Sequence, residues 1–385
     1  MAGTSTAVAN VVTNFQAKVR REYVREGKFG PYIGATENAI IQTNKDLKKI
    51  SIPLVGKLKG GGVIGSGTLR GNEEALSNYA ATLQPTHYRH GVLVDNEENE
   101  KPQFDLFSEA RPALMNWMME KKRDQIIQAL GAVEASGTYY NYGGGVGTGA
   151  TGATAASAGN LDTWQAANSD RILYGAAIVN LTSGNHTTSL GTVDTTTDRL
   201  SPSMISLMKR MAENANPLIR PVMVKNDEPW YVLFVGSYSF RDLSQNSTMT
   251  QANREARQRG MDNPLFTGED LIWDGVIIKK IPDIDKFTDS SSGGAYDGIW
   301  GAGASGDSLA NTGDNTSRVG IGFFCGAQAV GFGIGKMAQF DRAKEDDYGF
   351  QQGVAVTAKH DIKKLFYNGK QHGMLTSFHS APRDA

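Results

Sequence analysis

Six glycines fall within the twelve residues Gly60–Gly71, GGGVIGSGTLRG, and this stretch limits what the surrounding chain can become. Each glycine weakens a helix by about 1 kcal/mol relative to alanine, so no helix runs through it. It follows ISIPLVGKL (Ile50–Leu58), which alternates as a strand does, and YRHGVLVD (Tyr88–Asp95) reads as the returning strand. Two strands around a long glycine-rich excursion predict an extended hairpin over residues 39–100. The spacing Gly60-x-Gly62-x-x-Gly65 also matches a dinucleotide fingerprint, but its context does not. Such glycines must open a helix whose N-terminus faces a pyrophosphate, with an acidic residue about 20 positions on. Here SGTLRGNEEAL follows, with two more glycines and no amphipathic stripe. The loop is therefore read as mechanical.

Ahead of the hairpin, Val8, Val12, Phe15, Val19 and Tyr23 form one apolar helical stripe, opposite Lys18, Arg20, Arg21 and Arg25. This N-terminal arm, residues 1–38, suits packing on its own core or on a neighbouring chain equally. Beyond the hairpin, FDLFSEARPALMNWMMEKKRDQIIQALGAVEA carries the strongest helix signal. Phe107, Ala110, Leu114, Trp117, Met118, Ile126, Leu130 and Val133 line one stripe, with a gap at the charged turn Glu120–Asp124. A helix of about 24 residues would be about 36 Å long, enough for a spine. Pro112 marks its first turn or a kink.

The rest alternates between helix and strand. GGGVGTGATGATAASAGN (residues 143–160) cannot bury enough apolar area to order itself and reads as a flexible insertion, as does the Gly/Ser/Asp-rich 288–317. Ser201 is an N-cap with Pro202 in the first turn. Strands are expected at Ile219–Val224, Trp230–Val235 and Gly275–Ile281, a polar helix at Thr250–Gly260, buried strands within Arg318–Ala338, and strand and turn from Phe350 to Phe378. The class is mixed α+β. The domain reading is a peripheral domain over 101–142 with return strands in 341–385, and an axial domain over 161–340.

A search for chemistry returns nothing. The chain holds no GxSxG element, Walker loop or HExxH motif. His87 and His90 stand three apart on a strand, which sends them to opposite faces. With one cysteine, Cys325 in an apolar run, neither a disulfide nor a clustered metal site is expected, and no cofactor. Glu345–Asp346–Asp347 reads as a solvated turn. Basic and acidic side chains balance, 39 against 40, so only weak, non-specific contact with nucleic acid is expected. No run approaches the ~18 residues of a membrane span, and the first twenty residues lack a signal pattern. The expectation is a soluble chain made inside the cell, with no membrane partner. What remains is a chain built for reach: an arm, a long hairpin, a spine helix and loose insertions.

That order of parts resembles the major capsid proteins of tailed bacteriophages, with the Hong Kong 97 type of fold, and more narrowly the coat proteins of N4-like phages. TLRGNEEAL (Thr68–Leu76), WYVLFVGSYSFRDL (Trp230–Leu243), NPLFTGEDLIWDGVII (Asn263–Ile278), GFFCGAQAV (Gly322–Val330) and the closing DYGFQQGVAV and IKKLFYNGKQHG carry the likeness, in the family's order over most of the chain.

The resemblance implies a non-enzymatic structural protein that self-assembles, as hexamers and pentamers, into an icosahedral virion shell around double-stranded DNA. Assembly would occur in the host bacterial cytoplasm, with portal, scaffolding and decoration proteins as further partners. Lys57–Leu76 would be the extended loop lying over a neighbouring subunit. Lys57, Lys59, Arg70, Glu73 and Glu74 on the loop, with Phe15 and Arg20 on the arm, are the intersubunit contact candidates. Many coat proteins of this fold begin with a cleaved scaffolding region; a chain starting at Met1 is read as lacking one. Some relatives cross-link Lys to Asn, but no catalytic carboxylate is evident beside Lys57 or Lys59. A cellular nanocompartment shell shares the fold and would be told apart by a neighbouring cargo-enzyme gene. An enzyme of unfamiliar type would need a constellation that the sequence does not offer.

Overall fold

A computed structural model describes residues 29, 41–43, 49–58, 60–95, 106–142, 156–194, 196–225, 228–255, 270–288, 319–342 and 351–382. The chain divides into two units. The smaller comprises Met1–Glu26, His87–Lys121 and Met337–Ala358; the larger comprises Gly27–Thr86, Lys122–Lys336 and Lys359–Ala385.

The larger unit is organised by a seven-stranded sheet. Its order is Asp270–Trp273, Val276–Lys280, Glu228–Val235, Val319–Cys325, Met374–Ser380, Ile172–Tyr174, with Met223–Lys225 paired to Glu228–Val235. All seven residues of Val319–Cys325 are buried, and so are all seven of Met374–Ser380. Side chains alternate across a strand, so a strand buried throughout must be covered on both faces. The two covers are visible in the packing. Val232, Phe234, Phe323, Cys325 and Phe378 join one core with Ile126, Ile127 and Leu130 of the spine helix and Trp164. Tyr231, Leu233, Val235, Phe324 and Leu375 join another with Met204, Ile205, Met208 and Met211. Those methionines lie on the helix Pro202–Asn214, which starts as expected: Ser201 Oγ accepts from the Met204 N–H, with Pro202 in the first turn.

A buried guanidinium ties the sheet edge to the chain beside it. Arg171 is fully buried, and its Nη1 donates to the carbonyls of Gln371 (2.5 Å) and His372 (2.8 Å) while Nη2 donates to that of Pro217. Gln371 N–H returns to Asn168 Oδ1 (2.8 Å). Removing Arg171 would take a donor from three carbonyls at once, the buried one of Gln371 among them.

In the smaller unit, Leu114, Val354 and Val356 are buried together with half-buried Val92, Trp117, Met118 and Phe340. His90 lies 4.7 Å from the Trp117 ring and the Arg111 guanidinium lies 5.0 Å over Phe340.

Several boundaries differ from the sequence reading, each for a physical reason. The strand that returns from the glycine-rich stretch is Asn78–Leu83, paired antiparallel to Ile50–Val55; Thr86–Asp95 leaves for another sheet. NYAATL is weak in apolar alternation and passed for loop. The spine helix runs unbroken through Pro112 for 26 residues, Leu106–Gly131. Its charged turn is no solvent gap, because Arg123 and Asp124 are buried. They enter the core paired, Arg123 Nη2 to Asp124 Oδ1 at 3.0 Å and Nε to Asp283 Oδ2 at 3.6 Å. Residues 122–142 and 359–385 fall in the larger unit. The strand Met374–Ser380 carries Thr, Ser and His into the interior, where Ser377 Oγ donates to Gly322 O and His379 Nε2 meets Ser239 Oγ at 2.6 Å. The insertion read as 143–160 ends earlier. Ala156 is buried and Ser157 caps the helix Ala158–Ala167. Phe29, assigned to the arm, is buried 5.0 Å from the Phe234 ring. The arm helix, residues 143–155 and 289–317, and Glu345–Asp347 lie outside the described residues.

Two buried histidines, His186 and His379, and half-buried His360 make stability depend on pH. Burial holds His186 at about 3, and His379 and His360 at about 4, below the usual imidazole value of 6.5. Lys122 lowers His360 further. His186 stays neutral between two tyrosine hydroxyls, Tyr142 at 2.7 Å from Nε2 and Tyr174 at 2.5 Å from Nδ1. The unfolded chain takes up protons that the folded one refuses, so stability is full above pH 6.5 and falls as pH drops from there towards 4 and 3. Urea midpoints measured across this range should show that loss, and His379→Gln should flatten it. Phe378→Ala, which empties a site stacked on Tyr174, should cost about 3–5 kcal/mol in the same assay.

Candidate assembly surface

The hairpin has a fixed root. Ile50–Val55 and Asn78–Leu83 pair from Ile50↔Leu83 to Val55↔Asn78. Every second residue of the first strand, Ile50 and Ile52, is buried with Leu83, Leu365 and Tyr367. Fully burying each of these aliphatic side chains contributes about 1.5–3 kcal/mol. The last rung is Gly56 N–H to Ser77 O at 2.8 Å.

Beyond that rung, no described side chain of residues 57–77 is buried. The loop is instead organised by its own backbone. Glu74 Oε2 accepts from the Gly60 N–H (2.6 Å) across fourteen residues, and Glu73 Oε2 accepts from the Gly71 N–H (2.6 Å). Asn72 closes a turn, its N–H donating to Leu69 O (2.9 Å) and its Nδ2 to Thr68 O (2.8 Å). Gly62 and Gly71 sit at φ +66 and +92, where a Cβ would strain the backbone. No helix follows Gly65, in agreement with the reading that set the dinucleotide pattern aside.

The seven contact candidates fare differently. Lys57 and Arg70 are exposed. Glu73 and Glu74, expected as ion-pair partners for another chain, are also the loop's internal acceptors. Lys59, Phe15 and Arg20 lie outside the described residues. Sequence reasoning passed over the apolar side chains. Val55, Leu58, Leu69 and Leu76 are each more than half exposed and Ile64 is 90% exposed. Five large hydrophobes on one hairpin are costly on a lone surface and useful on a joining one. The signal was legible: Ile64 and Leu69 stand among glycines that offer them nothing to pack against.

Among the described residues no group of three or more His, Cys, Asp or Glu is placed to hold a metal. Cys325 is buried and its thiol is pushed up to about 12 by desolvation, which makes it unreactive. Among the described residues no helix is long and apolar enough to cross a membrane.

Comparison with known proteins adds an independent line. Residues 4–377 match the family described as phage capsid protein. The major capsid protein of Pseudomonas phage KPP25 is 24% identical over 343 residues, 84% of this chain and 81% of that protein. The capsid asymmetric unit of cyanophage Pam1 superposes with a TM-score of 0.84 at 33% identity over the full length of both chains. The capsid of Ralstonia phage GP4 shares the fold, with a TM-score of 0.67 at 17% identity over 99% of this chain and 100% of that one.

The internal ties give the loop a measurable stiffness. Glu74→Gln should raise the rate of tryptic cleavage at Arg70 by up to about fivefold, the factor for about 1 kcal/mol, with the melting temperature unchanged. A fall in melting temperature would mean that the loop supports the core.

Proposed function

The chain belongs to the phage capsid protein family and is a major capsid protein forming the shell of a tailed phage, and we propose that the loop 56–77 joins one copy to the next. Its fold is the Hong Kong 97 type expected from the sequence. The observation that carries the proposal is the contrast within one hairpin: a buried root, and a loop whose apolar side chains are exposed among the described residues. In this reading the arm lies over a neighbouring subunit. Lys57 and Arg70 pair with the neighbour's carboxylates, and the glycines let the arm bend between non-equivalent positions in an icosahedral shell of hexamers and pentamers. Single contacts of this kind are weak, about 0–1 kcal/mol for an exposed ion pair. A closed shell repeats each one in every copy, and dissociating one subunit means breaking several at once.

Phe15 and Arg20 of the arm, and Lys59, take the same intersubunit role in this proposal. Double-stranded DNA would be enclosed rather than gripped, in keeping with a net charge of −1. Assembly would take place in the bacterial cytoplasm, with portal, scaffolding and decoration proteins contributing.

Deleting Gly60–Gly71 tests the loop's role. The shortened chain should keep its circular-dichroism spectrum and melting temperature, and negative-stain electron microscopy should show no closed shells where the intact chain, expressed with its neighbouring phage genes, makes them. Normal particles from the deletion would contradict the proposal.

A further inference from the structure

Resting on that reading, we infer that Asp361 and Gly333 are positioning residues for assembly, which fix the direction in which the hairpin leaves the packed chain. Gln84 stands where the hairpin ends, between its returning strand Asn78–Leu83 and the strand Thr86–Asp95. The Gln84 N–H donates to Asp361 Oδ2 at 2.7 Å, across 277 residues of sequence. The Asp361 side chain is only 1% exposed, and Lys363 Nζ stands 3.5 Å from the same oxygen. Burial raises the Asp361 pKa, while Lys363 and the Gln84 N–H lower it. A carboxylate is costly to bury unless it is partnered. Once partnered it makes a strong, directional tie, because a charge-assisted hydrogen bond is about twice as strong as a neutral one.

The apolar side of the seat is shaped by missing side chains. A Cβ at Gly333 would stand 3.1 Å from Ile50 Cδ1 and 3.3 Å from Leu83 Cβ, one contact on each strand of the hairpin. A Cβ at Gly331 would stand 2.8 Å from Leu365 Cδ2 and 3.3 Å from Ile52 Cδ1. Residues two apart on a strand share a face, so the two glycines make one bare strip under the root. Leu365 and Tyr367 close the cluster from the segment that carries Asp361. Ile50, Ile52 and Leu83 form a cluster apart from the two cores that cover the central sheet, so the seat can shift without unpacking either. No described side chain of residues 57–77 is buried, and a change of angle at the root is carried out to the tip.

Two spin labels in the unassembled full-length chain test this. One sits at N78C on the last paired rung and one at R210C on the helix Pro202–Asn214; both positions are exposed, and buried Cys325 takes no label. D361A removes the acceptor and should broaden the distance distribution by about twofold. D361N keeps an oxygen for the Gln84 N–H and should restore most of the parent width, a rescue that loss of packing alone would not show. G333A should shift the mean distance by about 1 Å or more, since the added methyl needs contacts of about 3.5–4.0 Å. Circular dichroism should match the parent in all three. Shell yield should fall by about fivefold or more in D361A and G333A and recover in D361N, because every copy carries the same fault. An unchanged distance distribution in D361A and G333A would overturn the inference and leave the loop's joining role standing. Altered distributions with full shell yield would also overturn it, and full yield from the loop deletion as well would remove the joining role.

Discussion

Burial of both faces of the central sheet is the constraint on which the larger unit depends. Val319–Cys325 and Met374–Ser380 have no solvent face, so the chain must supply two covers, one from the spine helix with its neighbours and one from the methionine-rich helix Pro202–Asn214. Those covers draw on segments from residue 126 to residue 378, which makes the unit one cooperative core. Several charged and polar groups enter with partners: Arg171 on three carbonyls, His186 between two tyrosines, Arg123 between two aspartates. None of these contacts involves the loop 56–77.

That independence makes the hairpin useful. Its root is part of the packed chain, through Ile50, Ile52 and Leu83, so the direction of the arm is set by folding. The arm's ties, Glu74 to Gly60 and Glu73 to Gly71, narrow its conformations without covering its hydrophobes. Partial pre-ordering of this kind lowers the entropy lost on docking. The same two carboxylates are exposed together with Lys57 and Arg70, so the loop presents both signs of charge.

Much of this was legible in the sequence. The spine helix declared itself by its stripe, Ser201-Pro202 by capping chemistry, and Trp230–Val235 by its apolar strand pattern. The glycines said correctly that the loop could not be a helix. What the sequence hid was partnership at a distance. Asn78–Leu83 is a strand because Ile50–Val55 lies beside it, not because of its own alternation. Arg123 and Asp124 are buried because Asp283 arrives from 160 residues away to share the guanidinium. The internal hydrogen bonds of Glu73 and Glu74 were hidden because backbone N–H groups leave no trace in a pattern of side chains.

The central claim is that the loop belongs energetically to the assembly and not to the chain. Amide hydrogen exchange, read by mass spectrometry on the unassembled protein and on shells, tests it directly. The account predicts fast exchange across residues 57–77 in the free chain and strong protection in the shell, with 319–325 and 374–380 protected in both. Equal exchange of the loop in both states, or protection already present in the free chain, would contradict it.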